Sequence, residues 1–363
     1  MTAACTGRRD LLGDGQVCLY DPAKSRLPNR LSDIVYILAT ELTADMKVIH
    51  TMRCITLCFV AVTMLFLGGC ATVAPPAPAG WTPLFVGVSH KILPAPGPEP
   101  MIIQALRVDL KAGGVSLFVT PGDPSAGHEY RALTSSAALT NQGWQAAVNG
   151  GYFLPFSGGS PGGDDYVPQP GQGTDVTGAA VQDGRTVSPV ETDLDKRVNA
   201  IICIWKRAKV RIRDGQVCGP SVRDAMAAGP RLLADGEPLS FAAFDLEYNQ
   251  GRHPRTAVGL DARNQILWLV TVDGRQPAIS LGASLTEMTA ILQGLGAANA
   301  INLDGGGSTT MVVQSPTGPK RLNVPIHTGI AGRERPVANH LGVKAQVFPT
   351  IGRWSAANAK GID

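Results

Sequence analysis

The segment INLDGGGSTTM, at residues 301–311, is the part of the chain best suited to chemistry. It places the carboxylate of Asp304 where an apolar stretch gives way to three glycines, at residues 305–307. Such glycines can adopt positive φ and let backbone N–H groups approach a ligand, which suits a phosphate or a sugar. The plainer alternative is a tight hairpin in which the aspartate caps its own turn. Three glycines followed by the hydroxyl residues 308–310 are more than a hairpin needs, so we expect a binding site here.

Three further polar residues stand at the ends of apolar runs. Asn149 and Asp273 each end such a run and precede glycine, and Arg255 immediately precedes another run. Any one of them is easily a turn residue. Together with Asp304, however, they are what a shared cleft at one edge of a sheet would need.

Six segments, in this order, resemble the phosphodiester glycosidase family. They are spread over residues 148–343, within the region from about residue 81 to residue 347 to which we assign the resemblance. Each segment alone is a weak signal, and it is their order and number that carry the resemblance. The segments are VNGGYF at 148–153, GPRLLADG at 229–236, PRTAVGL at 254–260, VDGR at 272–275, residues 281–311, and ERPVANHLGV at 334–343.

The resemblance implies a glycosidase that acts on a sugar joined to another group through a phosphodiester. The leaving group is then a stable phosphate monoester, so its departure needs charge neutralisation more than a proton donor. Arg255 and Arg275 are expected to neutralise that charge, ideally through paired N–H donors. Cleavage at the sugar carbon passes through an oxocarbenium-like state, which a carboxylate stabilises as nucleophile or as base for water. Asp304 is the first candidate for this role and Asp273 the second.

Other residues of the matching segments are expected to hold the phosphate or the sugar. Ser308 and Thr309 offer hydroxyl groups, and Asn149 suits a sugar hydroxyl or an acetamido group. Glu287 also lies in a matching segment, but a capping box gives that residue a full structural role. The expected substrate-binding set is Asn149, Gly150, Gly151, Arg275, Gly305, Gly306, Gly307, Ser308 and Thr309.

Composition and motifs argue against several other functions. The chain has 363 residues, of which 44% are hydrophobic, and a formal charge of +3 without a basic run gives no reason to expect a nucleic-acid partner. No H-E-x-x-H, C-x-x-C or Walker A motif is present, so we expect neither a metal nor a cofactor. The G-x-S-x-G match at 158–162 lacks the strand and helix that a nucleophile elbow requires. Asp164 and Asp165 suit a calcium site less well than an exposed acidic loop.

The N-terminal region indicates where in the cell the protein is located. Residues 55–67 form an apolar run that follows basic residues and ends in Leu-Gly-Gly-Cys. At about 13 residues the run is shorter than the roughly 20 that a transmembrane helix needs, and it is typical of a signal peptide. Its end resembles a lipobox, which predicts lipidation of Cys70; an ordinary secretory signal is the alternative.

We therefore expect five regions along the chain. They are an upstream extension at 1–45, a lipoprotein signal peptide at 46–70, a Pro/Ala tether at 71–80, the phosphodiester glycosidase-like domain at 81–350, and a C-terminal tail at 351–363. This organisation places the protein in the bacterial cell envelope, on the periplasmic or extracellular face, held to the membrane by the lipid on Cys70.

Two cysteines, Cys203 and Cys218, remain in the mature chain under this interpretation. An oxidising envelope permits a bridge between them. The pattern argues against one, because residues 201–205, 209–213 and 216–218 are predicted to be successive strands. The first and third strands of a meander lie about 9.6 Å apart, beyond the reach of a disulfide.

The predicted fold is α+β, a single domain with a mixed, mainly antiparallel sheet and a few helices. The 42 glycines and 27 prolines favour many turns and a β-rich fold. Apolar alternation on both sides of residues 113–114 predicts a hairpin, and a capping box at Ser284 begins a helix that leads into the strand before Asp304. A strand on each side of this helix indicates a local parallel crossover. Residues 155–177 are expected to be a mobile loop of the kind that covers active sites.

The sequence thus predicts hydrolysis of the glycosidic bond of a sugar-1-phosphodiester, similar to an N-acetylglucosamine-1-phosphodiester, in an envelope or extracellular glycan. Two alternatives stay open. One is a phosphodiesterase that cleaves the P–O bond, and the other is a lipoprotein that binds glycans without turnover.

Overall fold

The computed structural model describes residues 78–348. In chain order the strands are β1 (Thr82–Phe85), β2 (Val88–Leu93), β3 (Ile103–Asp109), β4 (Ser116–Val119), β5 (Tyr130–Arg131), β6 (Ala146–Asn149), β7 (Phe153–Leu154), β8 (Gly173–Val176), β9 (Ala180–Gln182), β10 (Arg185–Ser188), β11 (Ala200–Ile204), β12 (Val210–Asp214), β13 (Asp224–Ala228), β14 (Arg231–Ala234), β15 (Glu237–Pro238), β16 (Arg255–Leu260), β17 (Ile266–Val272), β18 (Asn299–Asn302), β19 (Met311–Ser315), β20 (Gly318–Arg321) and β21 (His340–Lys344). The helices are α1 (Ser135–Gln142), α2 (Leu246–Gln250) and α3 (Leu285–Leu295), and short 3-10 turns cover Pro124–Ala126, Gly306–Ser308 and His327–Gly329.

The strands form four sheets in the described part of the chain. Their orders are β1-β2-β3-β17-β16-β18-β14-β15, β10-β9-β13-β11-β12, β20-β19-β6-β21-β4 and β5-β8-β7. The predicted class, mainly antiparallel strands with a few helices, is confirmed. The expected single mixed sheet is replaced by four sheets, in which neighbouring strands are antiparallel.

The eight-stranded sheet is buried on both faces. On β17, Leu267 and Leu269 point into a cluster shared with the two five-stranded sheets. Trp268 and Val270 alternate with them and pack against α3 on the other face. Because successive side chains of a strand point to opposite faces, a strand buried on both sides has a continuous apolar sequence.

Helix α3 begins and ends where the sequence predicts. The Ser284 hydroxyl accepts a hydrogen bond from the Glu287 N–H over 3.1 Å, and the Glu287 carboxylate accepts one from the Ser284 N–H over 2.9 Å. Gly296 ends the helix with φ of 93°. The other Glu287 oxygen accepts from Arg252 over 2.6 Å, so this carboxylate is engaged in the structure of the helix end.

The crossover through α3 differs in one respect from the prediction. β17 and β18 are each antiparallel to β16, and they therefore run parallel to one another. β16 lies between them, so the crossover connects strands that are not neighbours. The carboxyl ends of β17 and β18 consequently lie at the same edge of the sheet, as the shared-cleft hypothesis requires.

The hairpin predicted at residues 113–114 is wrong. β3 pairs with β2 and β17, whereas β4 pairs with β21 in a different sheet. Leu106 and Leu117 still meet in one apolar cluster, because the two sheets pack face to face there. Alternating apolar residues fit two facing sheets as well as a hairpin, and the sequence pattern does not distinguish them.

The argument against a disulfide is also wrong, because Cys203 and Cys218 are bridged with their Cα atoms 5.8 Å apart. Residues 216–218 are not a third strand of a meander. After β12 the chain turns back, and β13 pairs with β11 on the side opposite to β12. The segment that carries Cys218 makes this return, which brings Cys218 next to Cys203 on β11.

The segment expected to be a long loop contains one strand, β8, and several internal contacts. Asp165 accepts hydrogen bonds from the N–H and hydroxyl of Ser160 over 2.8 and 2.7 Å, and Arg333 forms an ion pair with Asp164. Phe156, from the same segment, stacks on the guanidinium of Arg335 with 4.7 Å between the ring centroid and the guanidinium carbon. The loop therefore borders the site described below.

Residues 1–77 and 349–363 lie outside the described part of the structure, and with them the expected upstream extension, signal peptide, Cys70 anchor and C-terminal tail. Within residues 78–348, no helix has the length and apolar character needed to cross a membrane.

Candidate functional site

Asp304 lies where two sheets meet. It follows β18 of the eight-stranded sheet, and its N–H donates to the Gly150 carbonyl over 3.0 Å, next to β6 of a five-stranded sheet. The Asp304 carbonyl accepts from the Asn149 side chain over 2.7 Å. The backbone N–H and the backbone carbonyl of Asp304 are thus both held by the segment Asn149–Gly150. These two hydrogen bonds fix the direction of the Asp304 side chain.

The Asp304 carboxylate is half-buried and tied into the glycine turn. Oδ1 accepts from the Gly305 N–H over 2.9 Å, and Oδ2 accepts from the Ser308 hydroxyl over 2.6 Å. Burial raises the pKa of Asp304 above its ordinary value, against the opposing effects of Arg335 and the Ser308 hydroxyl. Each oxygen keeps capacity for a further hydrogen bond, so the group can act on a bound molecule.

Two arginine side chains lie against the same turn. A Cβ atom on Gly306 would stand 3.1 Å from Arg275 Nη2, and a Cβ atom on Gly307 would stand 2.6 Å from Arg335 Nη2. At both positions glycine leaves the space that a guanidinium group occupies. The result is a pair of positive charges next to one carboxylate, which suits an anionic ligand.

The two arginines differ in their surroundings. Arg275 is exposed, and within residues 78–348 its guanidinium forms no salt bridge. Arg335 is 8% exposed and donates from Nη1 to the Ser308 hydroxyl over 3.2 Å. Ser308 in turn donates to Asp304, so a hydrogen-bonded chain connects the buried arginine to the carboxylate.

Several of the backbone N–H groups of the glycine turn that were expected to approach a ligand are bound within the protein. The Gly306 N–H donates to the Pro254 carbonyl over 2.8 Å, and the Ser308 N–H donates to the Gly305 carbonyl over 3.1 Å. Since the Gly305 N–H is bound to Asp304, these donors are already used within the protein. Gly306 and Gly307 instead leave space for two arginine side chains.

The expected contacts of Asn149, Gly150 and Gly151 with a sugar are also replaced. Asn149 is fully buried, and its amide oxygen accepts from Thr256 Oγ1 over 2.7 Å and from the Thr310 N–H over 3.2 Å. Gly150 and Gly151 pack so tightly that a Cβ atom would stand 2.0 Å from Asn339 Oδ1 and 2.7 Å from the Ala227 carbonyl oxygen, respectively. Asn149 and Gly150 hold the backbone of Asp304, and the Gly151 N–H donates to Asn339 Oδ1 over 3.0 Å.

Arg255 is 2% exposed and is bound to the protein's own backbone. Its Nε donates to the Ala283 carbonyl over 3.0 Å, and Nη2 donates to the Tyr248 carbonyl over 2.6 Å. The Arg255 guanidinium, which was expected to hold the phosphate, therefore connects α2 to the segment before α3 through hydrogen bonds. Arg335, which the sequence analysis did not single out, takes the place next to Asp304.

Asp273 is 1% exposed and serves the loop after β20. Its Oδ1 accepts from Asn323 Nδ2 and from the Val324 N–H, each over 3.0 Å. Asn323 also donates to the Thr309 carbonyl over 3.0 Å. Burial raises the pKa of Asp273 to about 6, against the effect of these two donors. Asp273 thus supports the backbone beside the site, and Thr309, 1% exposed, is buried with it.

A group of aromatic and cationic side chains lies near Asp304. The hydroxyls of Tyr152 and Tyr248 are 2.6 Å apart, and Tyr152 also donates to the Gly229 carbonyl over 2.8 Å. The Arg197 guanidinium lies over the Tyr152 ring at 4.1 Å and pairs with Asp195. Burial raises the pKa of Tyr152 well above its ordinary value, and the nearby charge of Asp304 adds to this effect. The phenol of Tyr152 therefore stays protonated.

The sequence contained a signal for some of these residues. Tyr152 lies in VNGGYF and Arg335 in ERPVANHLGV, so both are within segments that match the family. Arg197 and Tyr248 lie outside the matching segments, and no motif marked them.

Two surface depressions lie apart from this group. Neither the one of about 420 Å³ between α2 and α3 nor the one of about 450 Å³ along β19 and β20 is lined by Asp304, Arg275 or Arg335. We assign the site from its charges and hydrogen bonds, because a shallow surface can still bind an anion through two arginines.

Comparison with known proteins shows the family of the chain. The sequence model of the phosphodiester glycosidase family matches residues 142–344. A protein named as exported, from Burkholderia pseudomallei K96243, has a similar fold, with 20% identity, a TM-score of 0.50, and coverage of 69% of this chain and 75% of that one. No curated protein sequence matches the chain significantly.

Two other solved structures are similar at lower scores. The catalytic domain of zebrafish N-acetylglucosamine-1-phosphodiester alpha-N-acetylglucosaminidase, auto-inhibited by its pro-peptide, has 20% identity and a TM-score of 0.46, over 71% of this chain and 88% of that one. A hypothetical protein from Synechocystis has 18% identity and a TM-score of 0.45, over 75% of this chain and 65% of that one.

The family match spans more than half of the 363 residues and includes the turn that carries Asp304. The chain therefore belongs to the phosphodiester glycosidase family.

Proposed function

We propose that the protein hydrolyses the glycosidic bond of a sugar-1-phosphodiester, with Asp304 at the sugar carbon and Arg275 and Arg335 on the phosphate. The observation that carries this proposal is the glycine turn, against which one reachable carboxylate and two guanidinium groups lie together. The family to which the chain belongs supports the same class of substrate.

The charges at the site favour a phosphate leaving group over an alcohol leaving group. Most glycosidases use two carboxyl groups, one of which protonates the departing oxygen. Within the described residues, no carboxylate forms a salt bridge with Arg275 or Arg335, and Asp304 is the carboxylate that is hydrogen-bonded to Ser308. A phosphate monoester leaves as a stable anion, so two arginines can do for it what a general acid does for an alcohol.

Each residue then has a defined task. Asp304 is ionised and stabilises the oxocarbenium-like state, as nucleophile or as base for water. Ser308 fixes one carboxylate oxygen and receives Arg335, so that anion binding and carboxylate position are linked. Arg275 is free to meet the outer oxygens of the phosphate. Arg255, Asn149 and Asp273 hold the strand ends that carry these groups.

We further propose that the protein acts on a glycan of the bacterial cell envelope while anchored through a lipid on Cys70. The disulfide between Cys203 and Cys218 supports an oxidising compartment outside the cytosol. The signal-like segment at 46–70 supports export, and the Burkholderia protein of similar fold is itself named as exported.

A panel of sugar-1-phosphodiesters tests the proposed activity, with the free sugar and the phosphate monoester measured separately. We expect equal amounts of the two products from at least one member, and none from the matching alkyl glycoside. The Asp304→Asn variant should release neither product, whereas Asp273→Asn is the matched control and should keep turnover within tenfold of wild type. Turnover of the alkyl glycoside at the same rate would refute the role given to the arginines.

A further inference from the structure

One buried histidine has no task in the proposed reaction. His327 begins the 3-10 turn His327–Gly329 and is completely buried. Its side chain forms one hydrogen bond within the described residues, between Nδ1 and Arg335 Nε, over 3.2 Å. Nε2 is buried and has no hydrogen-bond partner there. The hydrogen bond to Arg335 is therefore the polar contact that can account for a histidine at this buried position.

The direction of this hydrogen bond fixes the state of the histidine. Arginine remains protonated in proteins and has only donors, so His327 Nδ1 must accept. The ring is therefore neutral, with its hydrogen on Nε2. Burial and the nearby charges of Arg335 and Arg333 lower the pKa of His327 to about 4, which keeps it neutral at ordinary pH. The edge-on ring of Tyr166, at 4.3 Å between centroids, is the other neighbour of the imidazole.

Two of the three nitrogens of Arg335 are thus held by the protein. Nε donates to His327, and Nη1 donates to Ser308. Nη2 forms no hydrogen bond to any described residue. Because the guanidinium is planar, fixing Nε and Nη1 also fixes the direction of Nη2. Phe156 covers one face of the group at 4.7 Å.

We propose that His327 is a positioning residue, which accepts from Arg335 Nε and thereby presents Nη2 to the phosphate of the substrate. This inference rests on the proposed function, since it takes the anion to be the phosphate of a sugar-1-phosphodiester. Without the acceptor, Arg335 would keep an unsatisfied buried N–H or turn away from Ser308.

A pair of substitutions separates positioning from packing. Asparagine places Oδ1 close to the position of imidazole Nδ1, so His327→Asn keeps the acceptor in a smaller side chain. His327→Leu keeps the volume and removes the acceptor. We expect His327→Leu to raise KM for the phosphodiester at least tenfold, and His327→Asn to stay within threefold of wild type. Equal losses in both variants, or a larger loss in His327→Asn, would overturn the proposal.

A measurement on the wild-type protein does not depend on how the variants fold. Nitrogen-15 NMR should show an unprotonated Nδ1 on His327 and slowed hydrogen exchange at Arg335 Nε–H. A protonated Nδ1 at neutral pH would contradict the hydrogen bond and with it the positioning role.

Binding of inorganic phosphate separates this inference from the proposed activity. The affinity should fall at least tenfold in His327→Leu and be restored in His327→Asn. If this pattern appears while no sugar-1-phosphodiester is hydrolysed, the positioning role stands and the proposed activity fails. If hydrolysis occurs but phosphate affinity is the same in all three proteins, the activity stands and the positioning role fails.

Discussion

The guanidinium of Arg335 fills the space that a side chain on Gly307 would need, since a Cβ atom there would stand 2.6 Å from Nη2. Gly306 has the same relation to Arg275, at 3.1 Å. The glycines of the turn are therefore the counterpart of two arginines that come from distant parts of the chain. The glycine turn thus lies against two guanidinium groups, which can bind an anion in place of backbone N–H groups.

The Gly307→Ala variant should lose activity because it displaces Arg335. The added methyl group would stand 2.6 Å from Nη2 and 2.9 Å from Cζ of Arg335, so this buried guanidinium must move away from Ser308. We expect kcat/KM to fall at least thirtyfold, about 2 kcal/mol in transition-state stabilisation. Gly113→Ala is the matched control, because a Cβ atom there has no neighbour within 4 Å. A Gly307→Ala protein of normal kcat/KM would show that the position of Arg335 does not matter.

The Arg275→Gln variant should bind the substrate more weakly at an unchanged melting temperature. Arg275 is exposed and forms no salt bridge within residues 78–348, so its removal leaves no buried partner unsatisfied. We expect KM to rise about tenfold and to depend less on salt than in wild type. Arg263→Gln, in the turn at the other end of β17, is the charge-matched control. If both variants behave alike, only the net charge of the protein matters.

The sequence was sufficient for the part of the site that lies in one segment. The break from an apolar strand into three glycines marked Asp304, and the capping box marked the start of α3. Arg335 and Tyr152 reach the site through pairings between remote strands, so their proximity to Asp304 is not encoded in local spacing. For the same reason the alternation in β3 and β4 gave a false hairpin, and the return of the chain after β12 hid the disulfide partner of Cys203.

Stability should report the titration of Asp273. Burial raises the pKa of this carboxyl to about 6 in the folded protein, above its ordinary value of 3.8. A raised carboxyl pKa favours the protonated form, so its contribution to stability is present below pH 3.8 and is lost as the pH rises through about 6. The free energy of unfolding of Asp273→Asn, measured against wild type by urea titration, should therefore rise by up to about 3 kcal/mol between pH 4 and pH 7. Parallel curves for the two proteins would mean that Asp273 does not titrate in this range.

The Cys70→Ser variant should leave the membrane fraction and enter the soluble envelope fraction. The reason is that the thiol of Cys70 is the proposed site of lipid attachment. The domain at 81–350 should keep its activity, because Asp304, Arg275 and Arg335 all lie within it. Fractionation and mass spectrometry of the mature N-terminus measure both outcomes. Recovery of an unlipidated mature form from wild-type cells would contradict the anchor.

The central claim is that the bond to the sugar carbon breaks, with Asp304 supplying the necessary negative charge. Hydrolysis in water labelled with oxygen-18 measures this directly, since the new oxygen enters whichever atom is attacked. The account predicts that the label appears at the anomeric oxygen of the released sugar and is absent from the phosphate monoester. It also predicts that Asp304→Asn lowers kcat by about a thousandfold or more, roughly 4 kcal/mol, at an unchanged melting temperature. Label in the phosphate product would show that the P–O bond is cleaved and would contradict the account.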